Sequence, residues 1–219
     1  ESRVYMIHTL DFRILDKVSL KISENVMWKY SNFDLGYLNP SFFYHNLNNR
    51  SMFNALAYIE VNASLFKGFT LYGQYAMDQA RAPHEGDSQS DAWGMSVGGE
   101  YAFSLGKSVF TAYSEYLLTS PLLYRRDGVD FIKVSRYYHQ GSDNDTYGHI
   151  PFFEYIGYRY GGDTSTLKTG VTYIYPSMVE AEFSVQLMEH GDMNIYKSHN
   201  KEGKNKGNAN IGGSTPTGD

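Results

Sequence analysis

Cysteine is missing altogether from the 219 residues, which excludes a disulfide framework, a thiolate metal site and a cysteine nucleophile. No apolar run approaches the roughly 18 residues that a membrane-spanning helix needs. The longest runs are broken by Gly, Ser, Asp or Lys, so a helical inner-membrane protein is excluded. A basic excess is also lacking: the net charge of -5 and a pI near 5.8 leave no footprint for nucleic acid. There is no G-x-S-x-G, no H-E-x-x-H, no Walker A loop and no Cys-His pairing, and His45, His139, His149 and His190 stand singly. The absence of these signatures lowers the odds of an enzyme without excluding one, and neither a cofactor nor a metal is expected. The chain opens on Glu1 with no basic stretch followed by an apolar run, as expected where a signal peptide has been removed. Nothing in its length demands a second domain.

What is present in quantity is aromatic and small: 20 Tyr, 13 Phe and 21 Gly, against only 6 Pro and a mean hydropathy of -0.45. Transmembrane barrels combine abundant aromatics with low hydropathy because only alternate residues face lipid, aromatic girdles mark both interfaces and the interior stays polar. A soluble β-sandwich can share this composition, so the pattern along the chain has to separate the two.

That pattern is alternation. From Ala92 to Leu105, Trp93, Met95, Val97, Gly99, Tyr101, Phe103 and Leu105 alternate with small or polar residues. The run exceeds the usual five or six residues of a globular strand and reaches the roughly 9 to 11 that a tilted strand needs to cross a bilayer. Phe69 to Asp78, Tyr58 to Leu65 and Val179 to Leu187 repeat it, and residues 4–14, 18–28, 108–118 and 167–175 are less regular strands. The connections alternate too. Leu15-Asp16-Lys17, Phe66-Lys67-Gly68, Leu105-Gly106-Lys107 and Pro176-Ser177-Met178 are tight turns, whereas residues 29–52, 79–91, 119–166 and everything after His190 are long. Outer-membrane barrels have short periplasmic turns and longer extracellular loops. The expected fold is therefore all-β, an antiparallel transmembrane β-barrel with about eight to ten strands in this chain.

Within residues 119–166, Phe131 to Tyr138 and Phe152 to Tyr160 are candidate strands of an extracellular hairpin, a loop helix being the alternative. Counting both as membrane strands gives ten. Residues 1–196 are assigned to the barrel and 197–219 to a polar tail without periodicity, read as disordered. No aromatic-terminated strand closes the chain, so it is expected to be part of a larger barrel, although eight strands can close on themselves.

Sorting strand residues by phase places Asp11, Glu60, Asp78, Glu100, Glu115, Glu180 and Glu182 inside, against Arg13 and Lys21. An acidic lumen suits a cation-favouring passive pore; a hydrated network that only props the wall is the plainer reading. Glu24 breaks phase among Val18, Leu20, Ile22, Val26 and Trp28, and either a bulge near Ser23 turns it inward or it sits at the rim. The loop from Asp34 to His45 concentrates Tyr37, Asn39, Phe42, Phe43, Tyr44 and His45. Aromatic faces with planar polar groups are suited to sugars, while packing across a barrel mouth uses the same residues. Arg125, Arg126, Lys133, Arg136 and His139 form a basic segment with Tyr124, Phe131, Tyr137 and Tyr138. On an outer face it would suit phosphate or carboxylate groups of a lipopolysaccharide-like glycolipid or an acidic polysaccharide; a solvated loop balanced by Asp127 and Asp130 is the bland alternative.

Several stretches resemble the capsule-assembly family of outer-membrane proteins named Wzi. They are Val18-Ser-Leu-Lys-Ile-Ser-Glu24, Tyr37-Leu-Asn-Pro-Ser-Phe-Phe-Tyr-His45, and Phe69-Thr-Leu-Tyr-Gly-Gln74 with Asp78. Gly161-Gly162-Asp163 and Glu189-His190-Gly191 follow in the same order. Each motif is short, and their order carries the resemblance. It implies a larger barrel in the bacterial outer membrane, long loops outside, that binds or anchors capsular polysaccharide in a lectin-like, non-enzymatic way. The candidate ligand-binding residues are then Glu24, Tyr37, Asn39, Phe43, Tyr44, His45, Asp78, Arg125, Arg126 and Arg136. A passive pore is the competing expectation, and a barrel hydrolase has no motif behind it.

Overall fold

The computed structural model describes residues 3–29, 53–79, 91–126, 129–140 and 147–197. Strand accounts for 76% of them and none is helical, so the chain is an all-β antiparallel protein. The strands are β1 (Arg3–Ile14), β2 (Val18–Lys29), β3 (Phe53–Phe66), β4 (Phe69–Gln79), β5 (Ala92–Leu105), β6 (Ser108–Thr119), β7 (Ile132–Gln140), β8 (Tyr147–Tyr155), β9 (Thr164–Tyr175) and β10 (Val179–His190). Eight form one sheet in the order β1-β2-β3-β4-β5-β6-β9-β10, and β7 pairs only with β8. The sheet is open among the described residues: β1 and β10 lie at opposite edges and do not pair with each other.

Register shows why this sequence makes two unlike faces. Directly paired residues share a face. One cross-strand row runs Leu10, Ile22, Ile59, Tyr75, Met95, Leu118, and the row beside it runs Asp11, Lys21, Glu60, Gln74, Ser96, Leu117. The second row is held by an ion pair of 3.0 Å between Lys21 and Glu60. On the same face Lys168 lies 3.7 Å from Glu182, to which the Tyr113 hydroxyl donates. The polar face is the inner side of a curl, because Tyr5 and Ile7 of β1 line one cavity with Leu117 and Thr119 of β6 although β2 to β5 intervene.

The outer face is apolar and exposed. Leu10, Phe12, Val61, Val97, Val171 and Phe183 all keep two-fifths or more of their surface open. Towards the short turns an aromatic band crosses the sheet: Phe66 stacks on Phe69 at 4.7 Å, Phe103 on Phe110 at 5.3 Å, and Phe110 meets Tyr173 at 5.1 Å. Phe66 joins that band only because the register shifts between Ser64 and Phe66, a bulge that brings it opposite Phe69. Towards the long connections Tyr75 stacks on Trp93 at 6.4 Å.

All four tight turns are present, and left-handed residues make them short: Leu15 and Asp16 both have φ of 53° and Ser177 has φ of 63°. Two expectations are corrected. No bulge occurs at Ser23, where β2 keeps continuous register with both neighbours. Glu24 therefore stays on the outer face, opposite His8 and Ala57 and buried, two residues from Val26 in the cluster Val26, Trp28, Phe53 and Ala55. The second hairpin strand covers Tyr147–Tyr155 rather than Phe152 to Tyr160, since Gly157 and Gly161 at positive φ break the extended run. The hairpin itself is present, apart from the main sheet, and the tail from 198 to 219 lies outside the described residues.

Candidate functional site at the long-connection end

The β6–β9 connection folds back as a plug on the inner face. Ser120 starts it, its amide bonded to Trp93 O at 2.8 Å and its hydroxyl accepting from Trp93 N at 2.7 Å. That double bond anchors the turn that carries Leu122, Leu123 and Tyr124 inward. Leu123, Tyr124, Val129 and Phe131 then pack with Met27 of β2 and Leu56 of β3 into one buried cluster. Gly94 makes the approach possible, because a Cβ there would lie 2.7 Å from Leu123 Cδ2. The Phe131 ring meets Tyr5 of β1 edge-on at 6.2 Å, so the plug reaches from β5 to the far edge of the sheet.

Two motifs that are remote in sequence meet behind the plug. Asp163 is fully buried at φ 59°. Its amide donates to Ser120 O at 3.0 Å, its carbonyl accepts from Gly191 N at 2.8 Å, and its carboxylate accepts from Met193 N at 2.9 Å. The Gly161-Gly162-Asp163 and Glu189-His190-Gly191 stretches are thus one joint, which fastens the segment after β10 to the start of β9. Arg125 fastens the same segment further on. Its guanidinium is buried, donates to the carbonyls of Asn194 and Lys197, and lies 3.6 Å from Asp130.

Between this segment and the β7–β8 hairpin lies a groove of about 390 Å3, lined by Lys133, Phe152, Tyr155, Arg159, Tyr160 and His190 among others. Arg159 is exposed and its guanidinium sits 5.1 Å above the Tyr160 ring, a cation–π contact that orients it without neutralising it. Among the described residues no carboxylate pairs with Arg159. Lys133 pairs with Glu154 at 2.8 Å, which raises its pKa and keeps it charged. The His190 ring nitrogens face the carbonyls of Gly191 at 2.7 Å and Tyr160 at 3.3 Å. A planar anion fits this chemistry: a fork of donors beside aromatic faces.

No protein-family model, curated protein or solved structure matches the chain. Tyr37, Asn39, Phe43, Tyr44 and His45 fall outside the described residues. Asp78 is buried on the inner face, 3.5 Å from Asn54 Nδ2, while Glu24 is on the outer face. The structure does not bring these two together. Arg125 is a structural tie, Arg126 precedes the hairpin with its amide on the Asp130 carboxylate, and Arg136 is exposed on β7 opposite Pro151. Sequence reasoning missed Arg159 and Tyr160 because they lie in a turn with no charge pattern; the adjacent Gly161-Gly162 was the available sign of a tight fold.

The tyrosines of the plug resist ionisation. Burial pushes the Tyr124 phenol up, helped by the Asp78 charge and opposed by the amide of Tyr158, which donates to its hydroxyl at 3.1 Å. Burial likewise raises Tyr155 and Tyr158. A group whose folded pKa exceeds its unfolded value contributes stability that is intact below the unfolded value, about 10 for tyrosine. That contribution is lost as the pH climbs through the folded value. The plug is accordingly expected to hold through neutral pH and loosen above about pH 10. Tyrosinate absorbance should show late-titrating phenols, one of which disappears in Tyr124→Phe.

Proposed function

We propose that this chain is a length of outer-membrane β-barrel wall whose external end binds an acidic capsular or related surface polysaccharide. The observation that carries the membrane half is an exposed apolar face bounded by aromatics at two levels. From Trp93 to Phe103 on β5 is about 34 Å along a strand, or about 25 Å of height at the usual barrel tilt, the height of the apolar band of such barrels. Hydrocarbon tolerates no open strand edge, so further strands beside β1 and β10 would complete the wall. The glycan half is supported by the groove of Arg159, Tyr160 and Lys133 at the end where long connections gather, and by the order of motifs that resembles the Wzi family. It is a non-enzymatic reading.

The test uses the protein in outer membranes or detergent micelles with a uronic-acid-containing capsular polymer. Binding is expected to weaken several-fold in Arg159→Ala and in 0.5 M salt, which screens exposed charge. Equal retention of the polymer by Arg159→Ala, Lys133→Ala and the unaltered protein would reject the groove. The polar inner face supports a second reading, a cation-favouring pore, and the plug that spans β1 to β5 argues against it. Planar-bilayer recording separates the two: steady conductance by the unaltered protein favours the pore.

A further inference from the structure

Beneath the plug lies a second cavity, of about 380 Å3, that belongs neither to the groove nor to the outer surface. Its walls are the inner-face rows of β1 to β6, and its roof is Leu123, Tyr124, Ile156, Gly157 and Tyr158. In volume it falls near the lower end of small-molecule sites, roughly 300–1,000 Å3, which suits one or two rings rather than a polymer. None of its lining residues carries a carboxylate, ammonium, guanidinium or imidazole group. Tyrosine is its only ionisable type, and the two roof phenols are held protonated by burial.

The decisive atom is Asn25 Oδ1. Asn25 lines the cavity at 6% exposure, and this oxygen accepts no hydrogen bond among the described residues. A buried acceptor left without a donor is costly. Among the described residues the Gln74 amide and the Tyr58 and Ser96 hydroxyls on the same wall make no side-chain hydrogen bond either. Beside them stand the aromatic rings of Tyr5, Tyr124 and Tyr158.

We propose that this cavity binds an uncharged hydroxylated ring, a neutral mono- or disaccharide, whose hydroxyl donates to Asn25 Oδ1. An anion has no counter-charge there, and a partly enclosed site without one disfavours charge. A purely apolar guest leaves Asn25 unsatisfied. A sugar brings donors and acceptors around its rim and a C–H face for the tyrosine rings. The proposal goes beyond the surface reading: the groove outside takes an acidic glycan, and the cavity takes a neutral ring. It also assigns a role to wall positions that a passive scaffold leaves open.

Saturation-transfer NMR and equilibrium dialysis on the full chain in detergent micelles test it, with glucose, galactose and maltose against glucuronate and galacturonate. Saturable binding of at least one neutral sugar is expected, with its uronate at least tenfold weaker. Asn25→Leu should weaken it about tenfold, the loss of one hydrogen bond to a buried partner, and Gln74→Leu, at an exposed position, about threefold. Arg159→Ala should leave it unchanged, which separates failure here from failure of the surface groove. Tyr58→Phe, which removes only a hydroxyl, is expected to weaken it less and guards against an effect of misfolding. Absence of neutral-sugar binding, equal binding of uronates, or binding indifferent to both Asn25→Leu and Gln74→Leu would overturn the cavity as a sugar site.

Discussion

Phe131→Ala is expected to cost about 3–5 kcal/mol of plug docking, the usual loss for a fully buried phenylalanine. Phe131 has no exposed surface, and it shares a cluster with Met27, Leu56, Leu123, Tyr124 and Val129. Its backbone also closes the base of the hairpin, with its amide on Tyr124 O at 2.9 Å and its carbonyl accepting from Ile156 N at 2.8 Å. Those bonds survive the substitution, so the hairpin persists while its seat on the sheet is lost. The wall does not depend on the plug, because its strands are held by their own ladders. Far-ultraviolet circular dichroism should therefore remain strand-like while added protease cuts within residues 121–163. If the lumen is blocked by this element, Phe131→Ala also converts a silent protein into a conducting one. Unchanged protease resistance would show that the cluster does not anchor the plug.

Val97→Arg has an effect whose size depends on what surrounds the outer face. Val97 is 56% exposed and lies near the middle of the span from Trp93 to Phe103. In water, such a surface substitution changes stability by about 0.5 kcal/mol or less. At the midplane of a bilayer it costs about 2–4 kcal/mol, falling to about 0–1 near the interfaces. Urea titration of folding into lipid vesicles should thus show a large loss for Val97→Arg and for Leu167→Arg, which is level with it through Tyr116, a small one for Phe103→Arg, and near neutrality for Ser184→Arg on the exposed polar face. Equal, small effects at all four positions would remove the outer face from lipid and the membrane half of the proposal with it.

The wall was legible in the sequence because a strand records its two environments at alternate positions. Ala92–Leu105 and the alternation of short and long connections are examples, and both carry over to the sheet. Phase reading failed at Glu24, where β2 keeps its register and buries a carboxylate on the outer face rather than bending, and Phe66, assigned to a tight turn, instead ends β3 across a bulge. The plug was less legible. Its residues have no period, since Leu122 to Phe131 pack through turns, and the partners that bury them are strands from other parts of the chain. The groove was illegible for a further reason. Arg159 and His190 belong to segments distant in sequence that meet through the bonds of Asp163 with Gly191 and Met193 and of His190 with Tyr160, and nothing local in either segment encodes the meeting.

The neighbours β6 and β9 are separated along the chain by the whole plug and hairpin, unlike the other adjacent strands of the main sheet. Closing so long a loop adds little to the equilibrium cost, about 0.6 kcal/mol for each doubling of length. It matters more for speed, since distant pairings must wait for entropy to be overcome. The β7–β8 hairpin shortens that wait. Once Ile132 stands opposite Tyr155, only short stretches remain on either side, and the ends of β6 and β9 are held near one another before they pair. The hairpin that borders the proposed binding groove thus also acts, during assembly, as a splint for the sheet beneath it.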